Sequence, residues 1–260
     1  MGLTHSSGFY SFYYLKRSKK LNLFAIFACV LFLITIFIIV YSIVLNAKGS
    51  IFSSRKYYLL SLYQTQNKQM AINAQESIIN SGGAGYLYSY QNEICVLGFV
   101  YLKEKAASSV LEANLISFEN SSIIALNAEK ISLKYQRLIK ANNLLLTSFK
   151  YISSITEEIY NLCISYETGE IDIASLYRQI EVISLRFKEV LLDLDDLQLG
   201  ESDEEQLKDC LYLSLSVNLS NITSCKDEIY KGLKIEKALK LLCIKTCLEE
   251  IDLRKRVNKL

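Results

Sequence analysis

An α+β fold class, built as a βαββαβ unit followed by an all-α helical bundle and preceded by one transmembrane helix, is predicted by three patterns in this 260-residue chain. Between about Lys56 and Leu126 the hydrophobic period switches from two to 3.6 and back, twice in the same order. From about Glu129 onward only the helical period remains. Ahead of both lies a run without a single charge, from Leu21 to Ala47.

Residues 1–20 contain no acidic residue and end in Lys16-Arg17-Ser18-Lys19-Lys20. The Leu21–Ala47 run, rich in Ile, Leu, Phe and Val, exceeds the ~20 apolar residues that carry a helix across a bilayer. A cleaved signal peptide would have a shorter apolar core, and Leu45-Asn46-Ala47 lacks the small residues of a cleavage site. The expectation is a retained single-pass anchor at a cell membrane. Its basic block precedes the helix, while Lys48, Arg55 and Lys56 trail behind it, so residues 1–20 are expected in the cytoplasm and everything after residue 47 outside it. Residues 48–55 read as a linker.

The repeated programme occupies residues 56–128. Tyr57 to Tyr63 alternates as a strand that buries Leu60 and Leu62 and exposes Ser61 and Tyr63. From Asn67 to Asn80 a helix presents Ala71, Ala74, Ile78 and Ile79 on one face, and Ser81-Gly82-Gly83 stops it. Tyr86 to Tyr90 alternates as a second strand, and Gln91-Asn92 reads as a hairpin turn. The second copy runs Ile94 to Val100 as strand, Lys103 to Ala113 as helix with Ala106, Ala107, Val110 and Leu111 inward, and Ser122 to Leu126 as strand.

In these residues the chain resembles the sporulation-related repeat, or SPOR domain, a peptidoglycan-binding module of bacterial division and cell-wall proteins. Ala71, Ala74, Ile78 and Gly82 stand at the intervals of the family's first half, and Gly98 and Ala106 keep the spacing of its second. Where the family has a glycine, a glutamine and an arginine, this chain has Tyr63, Ser61 and Ile94. The resemblance implies a SPOR-like, ferredoxin/RNP-like sheet and binding of peptidoglycan glycan strands in cell division or sporulation. Both helices of such a unit cover one sheet face, so Ser61, Tyr63, Tyr86, Tyr88 and Tyr90 are expected on an open one. There the tyrosine rings could stack on pyranose faces while their hydroxyls reach sugar hydroxyls.

Residues 129–260 read as a helical domain of four helices. Leu133 to Tyr166 is one; Asp172 caps a second, whose stripe runs from Ile173 through Ile180, Ile183 and Phe187 to Leu194. Ser202 to Glu205 has capping-box spacing for a third, and Asp227 to Arg254 forms a fourth. Cys243 and Cys247, one turn apart, suit a buried face, and no Cys or His spacing suggests zinc.

Chemistry is narrowed by histidine. The only one is His5, which no triad or metal centre in the later domains could use, so an enzyme is not expected. Carboxylate pairs are available in Glu157 and Glu158 or in Asp193, Asp195 and Asp196, but on polar helix faces. No phosphate-cradling glycine loop is present, and no cofactor is expected. A net charge of +2 and the lack of a basic aromatic sheet face argue against nucleic acid. Two functions remain: a membrane-anchored envelope protein that binds glycan strands, or an anchored protein-interaction scaffold acting through its C-terminal helices, with division or sporulation proteins or a second copy as partners.

Overall fold

Turn chemistry and period-two patterning build the sheet in the computed structural model, which describes residues 51–114, 120–200, 202–232 and 234–260. Strands β1 (Arg55–Thr65), β2 (Tyr86–Tyr90), β3 (Glu93–Tyr101) and β4 (Ser122–Ala128) pair antiparallel throughout, in the order β2-β3-β1-β4. Gln91 and Asn92 both take positive φ, 47° and 68°, which is the two-residue turn that matches strand twist. Helix α1 (Lys68–Asn80) starts where the Asn67 side chain accepts from the Gln69 and Met70 amides. It ends as Gly82 turns left-handed at φ 85° and the Gly83 amide donates back to the Ile78 carbonyl. Helix α2 (Glu104–Asn114) follows β3, and the chain order is βαββαβ.

Both helices lie on one sheet face. Ala71 and Ile78 of α1 pack with Leu60, Leu62 and Val96, and Val110 and Leu111 of α2 close the same cluster. Gly98 permits this approach: a Cβ there would stand 2.6 Å from Leu62 Cδ1, and a Cβ on Gly83 would stand 3.4 Å from the Gly98 Cα.

The opposite face is covered as well. Five helices follow β4: α3 (Leu133–Ala141), α4 (Asn143–Glu167), α5 (Ile173–Asp196), α6 (Ser202–Tyr230) and α7 (Ile235–Lys259). The first is not the single long helix expected to Tyr166, because Asn142 goes extended and caps the Leu144 and Leu145 amides. The last begins at Ile235 rather than Asp227, since α6 runs on to Tyr230 and the left-handed Gly232 and Lys234 make the break. Asp172 caps α5 as expected, accepting from the Ser175 amide at 2.7 Å.

Helix α7 lies on β3 and β4 with α4 beside it, and α5 and α6 pack outside that pair. The layers are therefore α1/α2, sheet, α4/α7 and α5/α6. One core joins Tyr57, Leu59, Leu97 and Phe99 of the sheet to Phe149, Ile152, Leu242 and Cys247 of the helices. Ala128 and Ile131, either side of the expected 128/129 boundary, are both fully buried in it. Among the described residues no helix is long and apolar enough to cross a membrane, and the Leu21–Ala47 run lies outside those residues.

Candidate functional site

The five residues expected on an open face are not brought together on one. Ser61 is 0% exposed: its hydroxyl donates to the Tyr63 carbonyl at 3.1 Å, and it lies against Cys95 under the helical layer. Tyr63 belongs with the Leu60 and Leu62 cluster on the α1/α2 side, because the β1–β3 register shifts on both sides of Ser61 and breaks the alternation. Tyr86, Tyr88 and Tyr90 sit along the edge strand β2, half-buried, with their rings packed on the core that α7 shares. Tyr88 and Tyr90 stack at 6.4 Å between centroids. Burial pushes the Tyr88 phenol above the usual tyrosine range.

The face is occupied because the helical layer needs it. Helices α4 and α7 bury an apolar stripe each, and the aromatic and aliphatic residues of β1 and β3 supply the complementary surface. Phe99 stacks on Tyr160 of α4 at 5.5 Å, and Phe52, just before β1, stacks on Phe149 at 5.2 Å.

At the centre of this packing lies a charged node that sequence patterning did not single out. Arg254 of α7 is 0% exposed and places all five of its N–H groups. Nε and Nη2 donate to Glu250 Oε1 at 2.9 and 2.7 Å; Nη1 donates to the carbonyls of Ser53 and Glu129; Nη2 also donates to that of Ile51. The other Glu250 oxygen accepts from the Tyr57 hydroxyl, and Arg55 stands 4.0 Å from the carboxylate. Burial first, and the Glu250 charge second, hold the Tyr57 phenol well above its ordinary value, so it remains a donor. Residues 51–53, expected within a linker, are thus fastened to the C-terminal helix, with Phe52 2% exposed. The available signal was Glu250 and Arg254 four residues apart, flanked by Ile251 and Leu253, on an otherwise apolar helix face.

Two adjoining clefts of about 610 and 480 Å³ open between α1 and the α6–α7 turn. Ile72, Ile79, Glu228 and Lys237 line the larger, and Lys234, left-handed at φ 42°, reaches across to Asn80 Oδ1 at 2.9 Å. Lys237 stands 3.7 Å from Glu228 within the larger. None of the five expected glycan residues lines either cleft.

The carboxylates weighed for acid–base work are dispersed. Glu158 pairs with Arg186 at 2.6 Å, while Asp193, Asp195 and Asp196 are exposed near the end of α5. Among the described residues no group of three or more His, Cys, Asp or Glu side chains is gathered to hold a metal ion. All six described cysteines are free. Cys243 and Cys247 are fully buried on one face, as their spacing predicted.

The outer helix pair carries the most conspicuous apolar exposure. Val182, Leu185 and Leu192 of α5 are 52%, 47% and 68% exposed, and Leu213 and Val217 of α6 accompany them. No family model matches the chain, and no curated protein or solved structure matches it.

Proposed function

We propose that this chain is a membrane-anchored protein-interaction scaffold. Residues 21–47 cross the bilayer once, residues 1–20 remain in the cytoplasm, and the α+β body stands outside and offers its outer helices to a protein partner. The observation that carries this reading is the division of surfaces: the second sheet face is consumed by α4 and α7, while α5 holds Val182, Leu185 and Leu192 in solvent along one face. Contiguous exposed apolar surface rimmed by charge is what protein interfaces use.

The test is site-directed photocrosslinking of the full-length chain in its own membrane. A photoreactive residue at Leu192 should give a discrete protein adduct, whereas one at Met70 on α1, also half-exposed, should not. Equal labelling at both positions, or none at Leu192, would refute the reading.

Peptidoglycan binding is the second reading, with the SPOR resemblance behind it. It is favoured by the stacked, half-exposed Tyr88 and Tyr90 on an edge strand, a surface that could take a pyranose ring. Retention of the folded chain on peptidoglycan stripped of stem peptides, lost on Tyr90→Ala, would support it; no retention of the wild type would remove it.

A further inference from the structure

The exposed stripe of α5 is complementary to itself. Taken every three or four residues it reads Arg178, Val182, Leu185, Glu189, Leu192 and Asp196, on the side of the helix opposite the buried Ile180, Ile183, Phe187 and Val190. Its positions are symmetric about Phe187: Arg178 mirrors Asp196, Val182 mirrors Leu192, and Leu185 mirrors Glu189. The stripe is ~27 Å long at the rise of an α-helix.

Its flanks are already neutralised within the chain. Glu181 pairs with Lys226 of α6 at 2.7 Å on one side, and Arg186 pairs with Glu158 of α4 at 2.6 Å on the other. Among the described residues Arg178 and Asp196 form no salt bridge, and Arg178 bonds only to its own helix, at the Ala174 carbonyl and Ser175 Oγ. The charges at the two ends are therefore free and of opposite sign, and among the described residues Glu189 near the centre forms no salt bridge either. Asp193, Asp195 and Asp196 make the C-terminal end of the face acidic, which opposes an anionic bilayer as its occupant.

We propose that the partner of this face is a second copy of the chain, docked α5 against α5 in antiparallel about a twofold axis at the level of Phe187. This rests on the scaffold reading and names its partner. The twofold sets Arg178 of each copy against Asp196 of the other, and Val182 against Leu192, each contact occurring twice. Leu185 of each copy lies against Glu189 of the other, on either side of the axis. Glu189 is the one acidic interruption between the two ends, and Arg186 three residues before it is already engaged by Glu158.

The experiment co-purifies two differently tagged full-length copies from detergent. Arg178→Asp alone sets acid against acid at both ends of the interface, and Asp196→Arg alone sets base against base; each should weaken association about tenfold. A mixture of the two single variants restores both contacts only in the mixed pair, and the double variant restores them in each copy. Both should recover to within about threefold of wild type. Glu189→Leu should tighten association. Because both charged residues are exposed, the thermal unfolding of every variant should match wild type, which separates misfolding from lost docking. Single reversals without effect, or a mixture that fails to recover, would overturn the antiparallel pairing. Copies that do not associate while Leu192 still crosslinks to another protein would overturn the self-partner and leave the scaffold reading standing.

Discussion

Replacing Arg254 by methionine removes the node that ties residues 51–53 to the C-terminal helix. The substitution keeps the apolar stem and deletes five donated hydrogen bonds, two to Glu250 and three to the Ile51, Ser53 and Glu129 carbonyls. What remains is a fully buried carboxylate with only Tyr57 as a close partner and Arg55 at 4.0 Å. Breaking a buried pair by deleting one member costs about 3–5 kcal/mol, most of it the unmatched charge left behind. For a body of this size each kcal/mol lowers Tm by about 2–4 °C, so a loss on the order of 10 °C is expected in far-ultraviolet circular dichroism of the full chain in detergent. Arg254→Lys keeps the charge but not the planar fork and should fall about midway. Arg254→Met with Glu250→Leu should recover much of the loss, since the orphaned charge is gone; the double-mutant cycle reads that coupling directly. Arg256→Met serves as control: its partners Glu249 and Asp252 lie nearer the surface, and about 1 kcal/mol at most is expected. Hydrogen exchange at the amides of residues 51–55 should rise selectively in Arg254→Met. An Arg254→Met chain melting within about 2 °C of wild type would refute the assignment of this node as the fastening point.

Three further outcomes follow from particular contacts. Gly98→Ala should cost about 1–3 kcal/mol, measured by urea unfolding, because the added Cβ meets Leu62 Cδ1 at 2.6 Å; pairing it with Leu62→Ala should relieve part of that, and no relief would place the strain elsewhere. Alkaline lability should appear in the same assay: burial pushes the Cys163 and Cys225 thiols up from 9.0 to about 12, so their contribution is complete below pH 9.0 and is lost as pH rises toward about 12. A flat urea midpoint across that window would contradict their burial. A topology reporter fused after Leu260 should be active outside the cytoplasm; activity inside would remove both the proposed orientation and the glycan reading.

Where the fold was legible, the determinants were local. Asn67 and Gly82 bound α1 because an amide oxygen can take two free helix amides and a glycine can turn left-handed, and both facts are visible in a few residues. Gln91-Asn92 and the alternation of Tyr86 to Tyr90 are of the same kind. The end of the last helix pattern was misplaced for a related reason: Cys225 and Ile229 of α6 continue the buried period up to the break, so periodicity alone had no cause to separate Asp227 to Tyr230 from α7.

The status of the second sheet face was decided by parts of the chain remote from it, yet the strands carried a hint. Ile94 to Val100 is apolar at nearly every position, with Cys95, Leu97 and Phe99 turned to the helical layer and Val96 to α1, and β1 likewise buries Tyr57 and Leu59 on one side and Leu60 and Leu62 on the other. A sheet with a solvated face alternates polar with apolar; a strand apolar on both sides is one covered on both sides. Ser61 misled because it is polar and stands in the alternating position, but a small hydroxyl that bonds its own backbone can be buried at little cost. The same test applied to α5 gives the opposite answer: Ile180, Ile183, Phe187 and Leu194 account for one buried stripe, and Val182, Leu185 and Leu192 fall on the far side of the helix with no element of the described chain over them. In β1 and β3 the apolar residues of the second face have found their cover within the chain. On α5 they have not, and since a helix gains nothing by holding aliphatic side chains in water, that stripe is where the proposed partner's surface would contribute most.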